Sequence, residues 1–297
     1  MSSRIQDCVK KGLITPPSWL PDNIHYETIM GSVAYKCSSD TSDMDIYGFC
    51  MPTKEYIFPH LYGYVHGYES FPTFDQYQQH HVIDESALGG KGRSHDFTIF
   101  SITRYFALLQ DNNPNVLDSL FTSQDCVQCV TQVGQLVRDN RKIFLHKGAY
   151  QKFRGYAISQ LHKMSSKERE GKRKESYDKF GWDVKFGYHL LRLMDEIEQI
   201  LIFGDLELGR NNEELKACRR GDMTEQQVRD IFASKEKYLE KVYQESNLPD
   251  KPRKAEIKQL LLNCLESHYG NLSNAVVVPD AATNALKEIR KICESYA

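Results

Sequence analysis

Two carboxylates, Asp43 and Asp45, stand one residue apart in a segment that is otherwise mostly apolar. If this segment is a strand, side chains alternate between its faces and both carboxylates point the same way, about 7 Å apart. Two like charges on one face repel each other, and no basic residue adjoins them in the sequence. A divalent cation would stabilise the pair, and carboxylate oxygens suit Mg²⁺ or Mn²⁺ better than zinc.

A Gly-Ser pair, Gly31-Ser32, ends the apolar run that precedes these carboxylates. Glycine lets the backbone approach a ligand closely, and backbone N–H groups in such a turn can bind phosphate. A phosphate-binding turn beside a cation-binding pair predicts a site for a metal–nucleoside triphosphate. An Asp-x-Asp pair taken alone is more often a solvated turn, and that alternative stays open for this element by itself.

A third acid, Asp96, stands near the start of another predicted strand, residues 96–100. Ser101 follows with the chemistry of a helix N-cap. The next apolar residues recur at helical spacing, which predicts a helix packed on the sheet; they are Ile102, Tyr105, Phe106 and Leu109.

Basic side chains mark one face of a helix predicted at residues 183–203. Lys185, His189 and Arg192 fall at positions i, i+4 and i+7, which lie on the same side of a helix. No acid is among them, so they repel one another unless an anion lies alongside, and a triphosphate fits. An exposed basic face is the alternative, and spacing does not decide between the two.

A hydrophilic stretch at residues 163–179 mixes basic and acidic residues without apolar periodicity. Such a run is usually a solvated loop. A mobile basic lid over phosphates or RNA is the alternative function for it.

Composition bounds the class of protein. The net charge of −2 over 297 residues gives no overall nucleic-acid footprint, so a nucleic-acid partner would need a local basic patch. No apolar run approaches the ~18 residues that span a membrane. Eight scattered cysteines without a secretory signal are typical of reduced thiols in a cytoplasmic protein. The lone Cys126-x-x-Cys129 pair lacks the two further ligands of a structural zinc site.

Further elements follow from the same patterns. Residues 25–30 and 42–52 are predicted strands that deliver the Gly-Ser turn and the carboxylate pair. Residues 53–92 form a long excursion rich in aromatic residues. Its His80-His81 pair is interpreted as structural or substrate-facing, because adjacent strand residues face opposite ways and do not readily bind one ion. After about residue 124 the pattern is helical, ending with a helix at 281–296.

The first motif resembles the signature of the DNA polymerase beta-like nucleotidyltransferase superfamily: Gly-Ser, ten residues, then Asp, an apolar residue and Asp. Later segments resemble the narrower RNA repair pathway DNA polymerase beta family. They are Asp96…Phe106 with Asn113-Pro114-Asn115, Phe153-Arg154-Gly155-Tyr156-Ala157…Gln160-Leu161-x-Lys163, and Asp183-Val184-Lys185…His189-Leu190-x-Arg192-Leu193. Members often have Gly where this chain has Lys36, so the turn is less open here or Lys36 itself meets a phosphate.

The resemblance implies an α+β fold in which a small mixed sheet, a polymerase beta-like palm, is followed by a helical domain. The expected division is residues 1–123 for the catalytic core and 124–297 for the helical domain. Catalysis would use two Mg²⁺ ions, with Mn²⁺ as a possible substitute, held by Asp43, Asp45 and Asp96. The expected nucleotide-binding residues are Gly31, Ser32, Ser42, Lys163, Lys185, His189 and Arg192.

The implied activity is transfer of a nucleoside monophosphate from a nucleoside triphosphate to an acceptor hydroxyl, with the RNA 3′ end as the first acceptor to test. Transfer to a protein or small molecule is an alternative. A non-catalytic nucleotide sensor or interaction module is an alternative of another class, disfavoured by the presence of all three carboxylate candidates. The sequence gives no oligomeric state.

Overall fold

The computed structural model describes residues 3–38, 43–164 and 172–272, with short pieces at 285–286, 289–290 and 292–293. Within these ranges the chain forms an α+β fold of five strands and twelve α-helices. The strands are β1 (Ile24–Ile29), β2 (Met44–Cys50), β3 (Gln76–Asp84), β4 (Arg93–Ser101) and β5 (Val127–Val130). The helices are α1 (Arg4–Lys10), α2 (Lys54–Ile57), α3 (Ala87–Gly90), α4 (Ile102–Gln110), α5 (Pro114–Phe121), α6 (Gln132–Asp139), α7 (Gly148–Met164), α8 (Lys172–Phe180), α9 (Val184–Phe203), α10 (Asn212–Arg220), α11 (Glu225–Glu245) and α12 (Lys254–Tyr269).

The five strands form one mixed sheet in the order β3-β4-β2-β1-β5. β2 and β4 run parallel, whereas the other neighbouring pairs are antiparallel. The strands predicted at 25–30, 42–52 and 96–100 correspond to β1, β2 and β4, although β2 is shorter and β4 longer than predicted. The sequence analysis does not predict β3 or β5.

Each face of the sheet packs against helices. On one face, the buried Glu27 of β1 accepts hydrogen bonds from the backbone N–H groups of Arg4 at 2.6 Å and Ile5 at 3.3 Å, which hold α1 there. On the other face, Phe49 of β2 packs against Tyr105 of α4 with ring centroids 5.0 Å apart. Ser101 caps α4 as predicted, because its hydroxyl accepts from the Arg104 N–H at 3.2 Å.

Helix α9 is the centre of the helical part and packs against α7, α10 and α11. Its predicted span of 183–203 is confirmed, with Asp183 as the N-cap. The fifth strand lies past residue 123, so the division into 1–123 and 124–297 stays a prediction. The helix predicted at 281–296 lies largely outside the described residues.

The described parts of the hydrophilic stretch at 163–179 are helical, since α7 ends at Met164 and α8 begins at Lys172. The lid hypothesis now concerns residues 165–171, which lie outside the described residues. None of the described helices is both long and apolar enough to cross a membrane. The cysteines are free thiols.

Candidate active site

The parallel pairing of β2 and β4 sets Asp45 directly beside Asp96. Neighbouring residues in register point to the same face of a sheet, so the two carboxylates share one face. Asp43, two residues before Asp45, is exposed just before β2 begins. The structure therefore places the three acids that the sequence singles out near one another, at the beginning of β2 and on β4.

The electrostatics of Asp45 reflect this crowding. Burial, followed by the negative charge of Asp96, raises the pKa of Asp45 above its ordinary value. Asp43 acts in the same direction, whereas the nearby Lys185 and His80 act to lower that pKa. Among the described residues, no ion pair or side-chain hydrogen bond engages the carboxylate of Asp43 or Asp45. The three acids thus carry more negative charge than the described residues neutralise.

Asp96 is held in place by a β-bulge in β3. The register of β3 against β4 shifts between Gln79 and Val82, and His81 takes a left-handed φ of 55°. The bulge turns the backbone N–H of His81 onto Asp96 Oδ1 at 2.7 Å. His80 Nδ1 lies 3.6 Å from Asp96 Oδ2. The sequence predicts a structural or substrate-facing role for His80 and His81. It does not predict their contact with Asp96.

Gly31 lies directly against the Asp45 carboxylate. A Cβ added at Gly31 would stand 2.1 Å from Asp45 Oδ2, and the φ of +64° is itself one that side chains rarely adopt. The Met30 N–H donates to the Asp45 carbonyl oxygen at 2.7 Å. The Ser32 carbonyl oxygen accepts from the Cys37 N–H at 2.8 Å and closes the turn. Glycine is therefore required by close approach as well as by conformation. Ser42 lies outside the described residues.

Helix α9 brings basic groups towards this face. Asp183 Oδ1 accepts from the Lys185 N–H at 3.1 Å and fixes the first turn of the helix. The Lys185 side chain is exposed, and its charge acts on Asp45. His189 lies one turn further on and is half-buried. Lys163 is exposed in the last turn of α7, which packs against α9.

The whole central part of the chain is similar to one known protein family. The model of the RNA repair pathway DNA polymerase beta family matches residues 10–263, most of the chain. The chain belongs to this family. The family's description indicates a polymerase beta-like nucleotidyltransferase of RNA repair, and hence a nucleoside triphosphate as substrate. No curated protein and no solved structure gives a significant match.

Arg192 departs from the place expected of a triphosphate-binding residue. Its side chain is buried, with Nη1 3.0 Å from Asp118 Oδ2 and Nε 3.6 Å from Glu196 Oε1. Nη1 also contacts the Tyr35 hydroxyl, which itself donates to Asp118 Oδ2 at 2.7 Å. The anions beside Arg192 are therefore the protein's own carboxylates, and its side chain is buried rather than part of an exposed basic face.

Lys36 adopts a left-handed φ of 54°, a conformation that favours glycine. This agrees with the Gly that members of the RNA repair pathway DNA polymerase beta family often have there. The Lys36 side chain runs over Gly209, where an added Cβ would come within 2.8 Å of Lys36 Cδ. The stem of Lys36 thus packs the Gly-Ser turn against the chain that leads into α10.

The donor chemistry of the three carboxylates fits Mg²⁺ or Mn²⁺. They offer oxygen ligands only, which these hard cations prefer. Asp45 and Asp96 are adjacent in register, and the repulsion between them would be relieved by a cation. In the part of the chain that the structure describes, no group of three or more His, Cys, Asp or Glu side chains is already gathered as a metal cage.

Proposed function

We propose that this protein transfers a nucleoside monophosphate from a nucleoside triphosphate to an acceptor hydroxyl, with an RNA 3′ end as the acceptor. The observation that carries the proposal is the register of Asp45 with Asp96, which sets two carboxylates side by side, with Asp45 lying against Gly31. Membership of an RNA repair family supports RNA as the acceptor.

Asp43 and Asp45 would hold the metal that accompanies the triphosphate, and Asp96 would complete a second metal site near the acceptor hydroxyl. Two Mg²⁺ ions, or Mn²⁺, held there would supply charge neutralisation of the leaving pyrophosphate and a lower pKa for the attacking hydroxyl. The His81 N–H and His80 orient the Asp96 carboxylate for this role.

The remaining residues bind and position the triphosphate. Gly31 lets the backbone approach it, and Ser32 adds a hydroxyl in the same turn. Lys185 is the leading cationic candidate, since its charge acts to lower the pKa of Asp45. His189 and Lys163 are further candidates from α9 and α7. Positioning and charge stabilisation are the main contributions that a protein makes to phosphoryl chemistry.

The reaction balances without any other reactant. The acceptor oxygen forms a bond to the α-phosphorus as the bond from that phosphorus to the bridging oxygen of pyrophosphate breaks. The acceptor hydroxyl gives its proton to water, and pyrophosphate leaves with the electron pair of the broken bond. An in-line arrangement requires the acceptor and the pyrophosphate to lie on opposite sides of the α-phosphorus.

Label transfer tests the proposal. The protein would be incubated with each α-labelled nucleoside triphosphate, Mg²⁺ and total cellular RNA, after which RNA, protein and small molecules are resolved separately. Label in RNA with wild-type protein, lost with Asp43→Asn and kept with Asp250→Asn, is the expected result. Asp250 is a suitable control because it is an exposed carboxylate that pairs with Lys147 and is not one of the three acids of the candidate site.

Other outcomes would redirect the proposal. Label in protein or in a small molecule would reject RNA as the acceptor while keeping the transfer chemistry. Transfer at the wild-type level by Asp43→Asn would reject the metal assignment. Triphosphate binding without label in any fraction would favour a non-catalytic nucleotide sensor.

A further inference from the structure

We infer that a cleft beside Asp43 binds the phosphate-bearing strand of the acceptor, a single-stranded RNA end. This inference rests on the proposed function, because it assigns the second substrate of the same site. The cleft has a volume of 810 Å³. Its lining residues come from the Gly-Ser turn, the start of β2, and the connection of β3 to β4; they are Ile29, Val33, Ser38, Asp43, Met44, Ile83, Leu88, Lys91, Gly92, Arg93 and Ser94.

The position of the cleft relates it directly to the chemistry. Asp43, a candidate metal ligand, forms part of its wall. Ser94, two residues before Asp96 on β4, forms another part and pairs with Ile83 of β3. A ligand in this cleft therefore lies against both strands that carry the carboxylates. Among its described lining residues, none comes from α9, where Lys185 lies.

The basic groups of the site are thus divided between two places. Lys185 and His189 stand on α9, whereas Lys91 and Arg93 stand on the β3–β4 side. In-line transfer needs the leaving pyrophosphate and the attacking strand to be held apart, on opposite sides of the α-phosphorus. Two separate sets of cations match that requirement, one for the triphosphate and one for the phosphates of the acceptor.

The apolar part of the cleft indicates what else it binds. Ile83 is 60 % exposed and Leu88 is 46 % exposed, although both are large apolar side chains. They flank the basic pair within the same cleft. Apolar surface beside cationic groups suits a nucleotide, whose base is flat and largely apolar and whose phosphate is anionic.

The test separates binding of RNA from catalysis. Affinity for a fluorescently labelled single-stranded oligoribonucleotide of mixed sequence would be measured by anisotropy over a range of salt concentrations, without triphosphate. Lys91→Ala is expected to weaken RNA binding severalfold and to lower the slope of log affinity against log salt by about one. Lys241→Ala removes the same charge from an exposed position on α11 and is expected to leave both quantities unchanged.

A second measurement shows which substrate the cleft binds. For Lys91→Ala and for Leu88→Ser, KM for RNA is expected to rise severalfold with KM for the triphosphate unchanged. Unchanged RNA affinity, a rise in KM for the triphosphate alone, or absence of RNA binding by the wild type would each overturn the inference. If the wild type transfers no label but RNA binding still depends on Lys91, the inference stands and the proposed activity fails. Unfolding curves of each variant confirm that it folds.

Discussion

Two groups of carboxylates in this protein differ in what the chain places around them. Asp43, Asp45 and Asp96 lie near one another at the beginning of β2 and on β4, where burial and mutual repulsion raise the pKa of Asp45. Asp118 of α5 and Glu196 of α9 are buried, and each forms an ion pair with Arg192 of α9. Burial still raises the pKa of Asp118 to about 6 in spite of Arg192, and raises that of Glu196 well above its ordinary value.

The difference shows how to tell a structural acid from an acid kept for a ligand. A buried charge is tolerated when its partner is built into the fold, as Arg192 is for Asp118. Among the described residues, Asp96 is contacted by His80 and by the His81 N–H, whereas the carboxylates of Asp43 and Asp45 have no ion pair or side-chain hydrogen bond. Substitutions in the two groups should therefore affect different properties, stability in one and activity in the other.

Asp118→Asn should have the largest effect on stability. The substitution removes the shorter ion pair of buried Arg192 and leaves only the 3.6 Å contact with Glu196, and we expect the free energy of unfolding to fall by about 3–5 kcal/mol. Denaturant unfolding followed by circular dichroism measures it. Asp43→Asn is the matched control, the same change at an exposed position, and should leave stability near the wild-type value. Equal stability of both variants would contradict the distinction.

Glu27, on the opposite face of the sheet, is a buried acid without a built-in ion pair. Burial raises its pKa to about 7 from 4.5, in spite of the N–H groups of Arg4 and Ile5. The folded state then binds the proton more tightly than the unfolded state. The stability contribution is complete below pH ~4.5 and is lost as pH rises towards 7.

The size of that effect is about 3 kcal/mol, since each pKa unit corresponds to about 1.4 kcal/mol. The difference in unfolding free energy between wild type and Glu27→Gln isolates it from other titrating groups. This difference should fall as pH rises through that window. A difference that is flat with pH would show that Glu27 does not titrate in the folded protein over this range.

Gly31→Ala should reduce activity more than stability. The new Cβ would displace the Asp45 carboxylate from its position 2.1 Å away, and misplacement of this order costs about a hundredfold in kcat/KM. Gly12→Ala is a matched control, because Gly12 also has a left-handed φ, of +71°, but has no atom within 4 Å of the added Cβ. Similar activity in the two variants would remove Gly31 from the site.

Lys185→Ala should have the smallest effect. Loss of one exposed cation is expected to raise KM for the triphosphate by about tenfold, or about 1.4 kcal/mol, with little change in KM for the acceptor. Steady-state kinetics with each substrate varied in turn measures both constants. Lys241→Ala serves again as the charge-matched control. An unchanged KM for the triphosphate would exclude Lys185 from triphosphate binding.

The carboxylate strands could be predicted because their signals are local. Alternation around Asp43 and Asp45 gave β2, and an acid before an apolar run gave β4. The register of Asp45 with Asp96 could not be predicted, since it depends on parallel pairing across a long excursion. β3 could not be recognised because several of its polar side chains are exposed on an edge strand. Its bulge, and hence the contact of His80 and His81 with Asp96, carries no simple sequence signal.

Arg192 shows the limit of reasoning from one helix. The spacing of Lys185, His189 and Arg192 predicted one basic face of α9, but Lys185 is exposed, His189 half-buried and Arg192 buried. The anion that faces Arg192 is nevertheless Asp118, which is 74 residues away in the sequence, together with Glu196 one turn further along the helix. Neither Asp118 nor Glu196 lies among the three basic positions of the predicted face, so the spacing pattern did not include them. Partners from distant elements are the information that a single sequence does not display.

Binding of Mn²⁺ alone, followed by electron paramagnetic resonance, tests the central claim most directly. Wild-type protein and Asp250→Asn should bind Mn²⁺, and its addition should raise their unfolding temperatures. Asp45→Asn should fold, lose at least about tenfold in Mn²⁺ affinity, and show no such rise, because the pair of carboxylates in register is broken. Equal Mn²⁺ affinity in wild type and Asp45→Asn would contradict the assignment of Asp43, Asp45 and Asp96 as the metal site.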